Sequence, residues 1–242
     1  MSTHPLSGRV ILVTGATRGI GFAAAQALAR KGAHIIALGR TQGGLEDLDD
    51  LIKQDGGEAT LVPMDLKAAD GIDALGKIIH ERWGRLDGLL ANAAILGDIT
   101  PVAHIAPKDF DKIFALNVTA NYRLIRSLDP LLRESPAGRA VFMTSGAAQS
   151  RRAYWGGYAA TKSALDALIQ CYAGEIEFSE LKVNLLNPGA TRTAMRAKAM
   201  PGENPENLPN PADIAPLIVE MLSPDYEKNG EIITFRQTDY YT

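Results

Sequence analysis

Short, continuously apolar runs alternate with longer amphipathic stretches along most of the chain. Val10-Ile11-Leu12-Val13 has no polar position and is rich in β-branched side chains, as a strand buried on both faces requires. Beyond a glycine-rich turn the period changes. Residues 22–31 are rich in Ala and Leu at helical spacing, and Gly32 stops them. The same alternation predicts further strands over 33–39, 58–64, 86–91, 139–144, 181–186 and 230–235. Helices are expected over 45–54, 72–83, 107–134, 158–178 and 213–222, with Pro107 suited to a first helical turn. Strands alternating with helices, without an internal repeat or a convincing linker, predict one doubly wound parallel sheet in a single α/β domain spanning 1–242. Residues 194–211 break the pattern. They hold Pro201, Pro205, Pro209 and Pro211 amid mixed polarity, and are expected to belong to a mobile lid over a site, about 190–211.

Composition narrows the function classes. With 242 residues, 46% hydrophobic and 22% charged, the chain can bury a substantial core and is not compositionally disordered. A net charge of -3 with interspersed signs points to neither nucleic acid nor a membrane surface. The first nine residues lack an apolar signal core, and no apolar run approaches a spanning length of about 18 residues, so a cytoplasmic location is expected. Cys171 stands alone, excludes an intramolecular disulfide, and is expected as a small apolar helix residue. His4, His34, His80 and His104 show no metal-ligand spacing, and no metal is expected.

Candidate chemistry lies at predicted strand ends. Thr14-Gly15-Ala16-Thr17-Arg18-Gly19-Ile20-Gly21 sits between a strand and a helix. A purely structural turn would also use the glycines, but this context suits a dinucleotide-phosphate loop, with the helix N-terminus offering amides to the pyrophosphate. The second strand ends in Gly39-Arg40-Thr41, with no acid before Glu46 to hold an unphosphorylated ribose. Arg40 and Arg18, unless merely solvated, would flank a 2′-phosphate, which favours NADP(H) over NAD(H). Asp65-Leu66 ends the third strand, where the acid would accept from an adenine amino group or cap the next helix. Asn92-Ala93-Ala94 follows the fourth and leaves room for a flat ligand. Asn117 is unusual in mid-helix and implies either a polar contact to a neighbouring strand or a functional role.

Tyr158 and Lys162 are one helical turn apart and should share a face. A free tyrosine ionises near pH 10, and a neighbouring ammonium favours its phenolate, so the pair could exchange a proton with an alcohol or carbonyl oxygen. Ser145 lies 13 residues upstream, close enough for a loop to bring its hydroxyl to the phenol. Trp155, Met195 and Met200 are candidates for an apolar pocket there, and equally for core, lid or subunit contacts. Arg192 or Arg196 would meet an acidic substrate or lie solvated on the lid.

Together, Thr14-Gly-x-x-x-Gly19-x-Gly21, Asp65, Asn92-Ala93, Asn117, Ser145, Tyr158-x-x-x-Lys162 and Pro188-Gly189 resemble the compact single-domain short-chain dehydrogenases/reductases, in order and spacing, over residues 9–235. Segments 91–98 and 189–196 are most similar to a bacterial subgroup, the YciK-like oxidoreductases. The resemblance implies a Rossmann-type seven-stranded sheet in a homodimer or homotetramer. It assigns Tyr158 as general acid in reduction and base in oxidation. Lys162 would hold the nicotinamide ribose and depress the tyrosine pKa, Ser145 would hydrogen-bond the substrate oxygen, and Asn117 would position a relay water. Asp65 and Leu66 would meet adenine, Asn92, Ala93 and Ala94 the adenosine side, and Pro188, Gly189, Thr191 and Thr193 the nicotinamide amide. Two departures stand out: Ala91-Asn92-Ala93-Ala94 replaces the usual Asn-Asn-Ala-Gly, and the tail Arg236-Gln237-Thr238-Asp239-Tyr240-Tyr241-Thr242 replaces an Asp-Gly-Gly-like end. The expected function is NADP(H)-dependent interconversion of a secondary alcohol and a ketone or aldehyde. From another class, a catalytically silent dinucleotide-binding sensor would bind the cofactor and consume no carbonyl. A sugar-nucleotide epimerase of the longer subgroup fits poorly with the glycine spacing and the missing C-terminal substrate domain.

Overall fold

The apolar runs settle as β1 (Val10–Thr14), β2 (His34–Gly39), β3 (Ala59–Pro63), β4 (Gly88–Ala91), β5 (Arg139–Met143), β6 (Lys182–Asn187) and β7 (Ile232–Thr234). These belong to a computed structural model that describes residues 4–235. All pairings are parallel, in the order β3-β2-β1-β4-β5-β6-β7, the doubly wound sheet expected from the sequence.

Side-chain alternation along the strands divides the core in two. Val10, Leu12, Ile36, Leu38, Ala140 and Phe142 face α3 (Ala69–Trp83), α5 (Ala120–Arg133) and α7 (Gly156–Glu175). Ile11, Val13, Ile35, Ala37, Val141 and Met143 face α1 (Gly19–Arg30), α2 (Gln42–Gln54) and α9 (Pro211–Met221). Each fully buried Leu or Ile contributes about 1.5–3 kcal/mol, so burial on both faces drives assembly and leaves the strand ends for polar groups. The strand order reverses between β1 and β4, which places the ligand crevice beyond their carboxyl ends.

One predicted helix differs in detail, and two short helices were not predicted. The single helix over 107–134 is α4 (Pro107–Phe114), a π turn (Ala115–Thr119) and α5. Asn117 sits inside that turn with its side chain bonded to the Ile95 backbone, so the insertion follows from a tertiary contact. A short α6 (Ala147–Ser150) follows β5, and α8 (Ala194–Ala199) lies within the stretch expected to be irregular. The Thr193 hydroxyl accepts from the Arg196 amide at 3.2 Å and starts α8 locally. Cys171 is on a helix as expected, but exposed. No helix among the described residues is long and apolar enough to cross a membrane. The C-terminal departure at 236–242 lies outside the described residues.

Candidate active site

The glycine turn after β1 is held by Asn92. Its amide donates to the Thr14 carbonyl at 3.0 Å and the Gly15 carbonyl at 3.3 Å. The Thr14 hydroxyl in return accepts from the Asn92 and Ala93 amides at 3.0 and 3.1 Å. β1 and β4 are thereby stitched together at the switch point, and the Asn92 side chain is engaged in structure. Gly15 and Gly19 occupy left-handed backbone, with φ of 67° and 60°. Gly21 is required for space: a Cβ there would run into the Gly15 carbonyl oxygen and the Asn92 amide. Gly21→Ala is therefore expected to cost about 1–3 kcal/mol, read as a lower urea midpoint at unchanged slope. An unshifted midpoint would mean the turn is free to relax.

α1 starts at this turn with no side-chain cap, so its first amides remain available to an anion. Ile20 lies in this first turn, partly buried against the α1-side core. Thr17 packs against Gly39, where no Cβ would fit, and this brings the glycine turn to the end of β2. Arg18 and Arg40, next in sequence to these two residues, are both exposed, as is Thr41. Asp65, at the end of β3, accepts from the Lys67 amide at 3.0 Å and does not cap α3, whose N-cap is Ala68. Burial pushes its carboxyl up, but Lys67 and Arg40 outweigh this and hold it below the usual range. The Leu66 side chain is core, which leaves only its backbone open to a ligand. Ala94 follows in the loop after β4, half-buried.

Tyr158 and Lys162 do share one face of α7, both buried. The Tyr158 ring lies among Leu96, Ile113, Ala147, Trp155 and Met195, with the Trp155 ring edge-on at 6.1 Å. The Lys162 ammonium donates to the Met143 carbonyl at 2.7 Å and stands 5.8 Å from the Tyr158 ring centroid. Burial lowers the Lys162 pKa to about 8, against an upward pull from Asp166. Burial raises the Tyr158 pKa to about 12, opposed by a hydrogen bond from Ser145. The expectation that Lys162 depresses the tyrosine pKa is thus not met here: the ammonium is directed at Met143, and desolvation of the phenol dominates.

Ser145, at the end of β5, reaches the phenol as its spacing suggested, and its hydroxyl also accepts from the Ala147 amide at 3.2 Å. Asn117 is fully buried. Its side chain bonds both backbone groups of Ile95 at 2.9 Å and donates to the Thr161 hydroxyl at 3.1 Å, linking the loop after β4 to α7. Its carbonyl accepts from the Asn121 amide at 2.8 Å. Of its two readings, a polar contact is present, made to the loop after β4 and to α7 rather than to a strand.

Asn187 was not singled out from the sequence, yet its carbonyl oxygen accepts from Gly146 at 3.0 Å and Gly189 at 3.1 Å. It joins the turn after β5 to Pro188-Gly189; a polar residue directly before Pro-Gly at a strand end was the available signal. Thr191 is buried and donates to the Pro188 carbonyl at 3.1 Å. The Thr193 methyl would lie 3.5 Å from a Cβ on Gly19, so the segment after β6 reaches across to the glycine turn. Arg192 is paired with Glu206 at 3.0 Å, and Arg196 with both oxygens of Glu203 at 2.5 and 2.6 Å. Arg192, Arg196 and Glu203, with Met200, border a cavity of about 460 Å³. Lys198 donates to the Gly97 carbonyl at 3.1 Å and lies 3.4 Å from the Asp98 carboxylate, tying α8 to the loop after β4.

The family model described as short chain dehydrogenase matches residues 9–204. The chain belongs to the short-chain dehydrogenase family. It is 40% identical over 223 residues to Uncharacterized oxidoreductase YciK of Escherichia coli K12, covering 91% of this chain and 88% of that protein. A Shigella flexneri 2a protein solved with NADP is 39% identical, with a TM-score of 0.92 over 96% of this chain and 99% of that one. An Escherichia coli CFT073 protein solved with NADPH is 38% identical, with a TM-score of 0.90 over 97% of this chain and 99% of that one. This short-chain dehydrogenase is accordingly an oxidoreductase, and the similarity to YciK read from its two loop segments extends over most of the chain.

Proposed function

We propose that the chain is an NADP(H)-dependent oxidoreductase that interconverts a secondary alcohol and a ketone or aldehyde, with Tyr158 as the group that gives or takes the proton. The observation that carries this reading is the meeting of Ser145 with the Tyr158 phenol, one helical turn from the Lys162 ammonium, at the carboxyl edge of the sheet. The cofactor supplies the hydride. In reduction the Ser145 hydroxyl orients the substrate oxygen, and the Tyr158 hydroxyl gives that oxygen its proton. An ammonium has three donors, and Lys162 uses one on Met143, which leaves two for ribose hydroxyls. NADP(H) is favoured because Arg18 and Arg40, next to the meeting residues Thr17 and Gly39, are exposed where β2 ends without an acid, and because two similar proteins were solved with NADP or NADPH.

The substrate is a neutral, predominantly apolar carbonyl compound. Tyr158 belongs to one apolar cluster with Leu96, Ile113, Trp155 and Met195, whereas Arg192 and Arg196, the arginines considered for an acidic substrate, each hold a glutamate. Residues 190–211 act as its lid, latched through Lys198. The deciding experiment follows NADPH absorbance across a panel of ketones and aldehydes. Binding of NADPH with no carbonyl consumed would favour the sensor reading instead.

Reduction needs both Tyr158 and Lys162 protonated. Tyr158 keeps its proton to about pH 12 and Lys162 only to about pH 8. The reductive kcat/KM should therefore be flat below pH 8 and fall roughly tenfold per unit above it, as the ammonium is lost. A profile flat through pH 10 would remove Lys162 from the mechanism.

A further inference from the structure

The face of α7 that carries Tyr158 and Lys162 continues one turn further to Asp166, a buried carboxyl that the proposed mechanism does not use. Two side chains hold it. The Thr144 hydroxyl donates to one oxygen, and the Gln149 amide donates to the other at 3.2 Å. Both partners are donors, so the cradle suits the ionised carboxylate. Thr144 directly precedes Ser145, and Met143, whose carbonyl accepts from Lys162, precedes Thr144. One three-residue strand end thus contacts the lysine, the aspartate and the phenol in turn.

We propose that Asp166 is a positioning residue whose carboxylate keeps the buried Lys162 ammonium charged at neutral pH. The proposal rests on the assignment of Lys162 to the cofactor and proton site. It answers a physical difficulty there. An ammonium with this little exposure loses hydration, and the carbonyl of Met143 supplies a dipole rather than a charge. On α7 the ionisable neighbours are Tyr158 and Asp166. From β5, α6 and the π turn come Met143, Thr144, Ser145, Gln149 and Asn117, all neutral. The charge interactions on Lys162 and on Asp166 are each other's, and the pull of Asp166 opposes the burial that lowers Lys162. Burial in turn raises the Asp166 carboxyl, while Thr144, Lys162 and Gln149 pull it down. A carboxylate one turn from a lysine could serve merely as a tie between helix and strand; that role would not move the lysine's titration.

The test needs no substrate. Protein labelled with 13C at lysine Cε and aspartate Cγ is titrated by NMR, with the Lys162 and Asp166 signals assigned from Lys162→Met and Asp166→Asn. Asn keeps the shape and an acceptor for Thr144 but removes the charge. In Asp166→Asn the Lys162 midpoint is expected to fall from about 8 by about one pH unit or more. In the wild-type protein the Asp166 carboxyl signal should step at the pH where Lys162 loses its proton, a measurement that stands even if the variant does not fold. A Lys162 midpoint that stays in place in Asp166→Asn overturns the proposal, as does a carboxyl signal blind to the titration of Lys162. If no carbonyl is consumed while the midpoint still falls, the oxidoreductase reading has failed and the charge pairing has not.

Discussion

Tyr158→Phe should lower kcat for carbonyl reduction by about 10²- to 10⁴-fold, the usual contribution of a positioned proton donor, and leave the NADPH dissociation constant nearly unchanged. The substitution removes one oxygen. The ring keeps its place in the apolar cluster with Leu96 and Ile113 and its edge-on contact with Trp155. Lys162 keeps its hydrogen bond to Met143, so the hold on the cofactor proposed for it would not depend on the phenol. Ser145 loses the phenol as a neighbour and keeps its bond from the Ala147 amide. Steady-state rates and fluorescence titration of NADPH separate the two effects. Unchanged turnover would remove the acid/base assignment, and a large loss of NADPH affinity would mean that the phenol binds rather than reacts.

Arg40→Ala is the second large effect. A guanidinium bonded to a phosphate contributes about 1.5–3 kcal/mol, so NADPH affinity should drop roughly 10- to 150-fold and NADH affinity hardly at all. The change carries little cost to the fold, because Arg40 is exposed. Its influence on Asp65 is electrostatic and secondary to that of Lys67. Parallel titrations with the two cofactors decide the matter. If both weaken equally, the 2′-phosphate is read elsewhere, and Arg18 is the next candidate.

Much of the site was legible because its residues lie at strand ends, and strand ends are legible. Short apolar runs such as 10–13, β-branched and followed by glycine, read as buried strands, and the glycines, acid or asparagine directly after each run therefore fall on one edge of the sheet. The Tyr158–Lys162 spacing needed only helical geometry. The partners that tie these residues down were not legible, because they are distant in sequence. Asn187 reaches Gly146, and Asn92 reaches Thr14 and Gly15, across gaps that no periodicity encodes.

The chain's pattern of apolar and polar positions determined the doubly wound sheet, its edge and the cast of polar residues along it. Local period and turn chemistry suffice for that, since burial on both faces leaves the strands no other arrangement. Tertiary structure decided what those residues experience. Desolvation turned Tyr158 and Lys162 in directions that a helix-spacing argument does not contain, lifting one to about 12 and lowering the other to about 8. Tertiary contacts also put a π turn into the long helix at Asn117, engaged Arg192 and Arg196 with glutamates, and gave Asp166 the Thr144 hydroxyl as donor. A pKa and a pairing depend on how much water is left around a group and on what faces it, and both are properties of the packed chain.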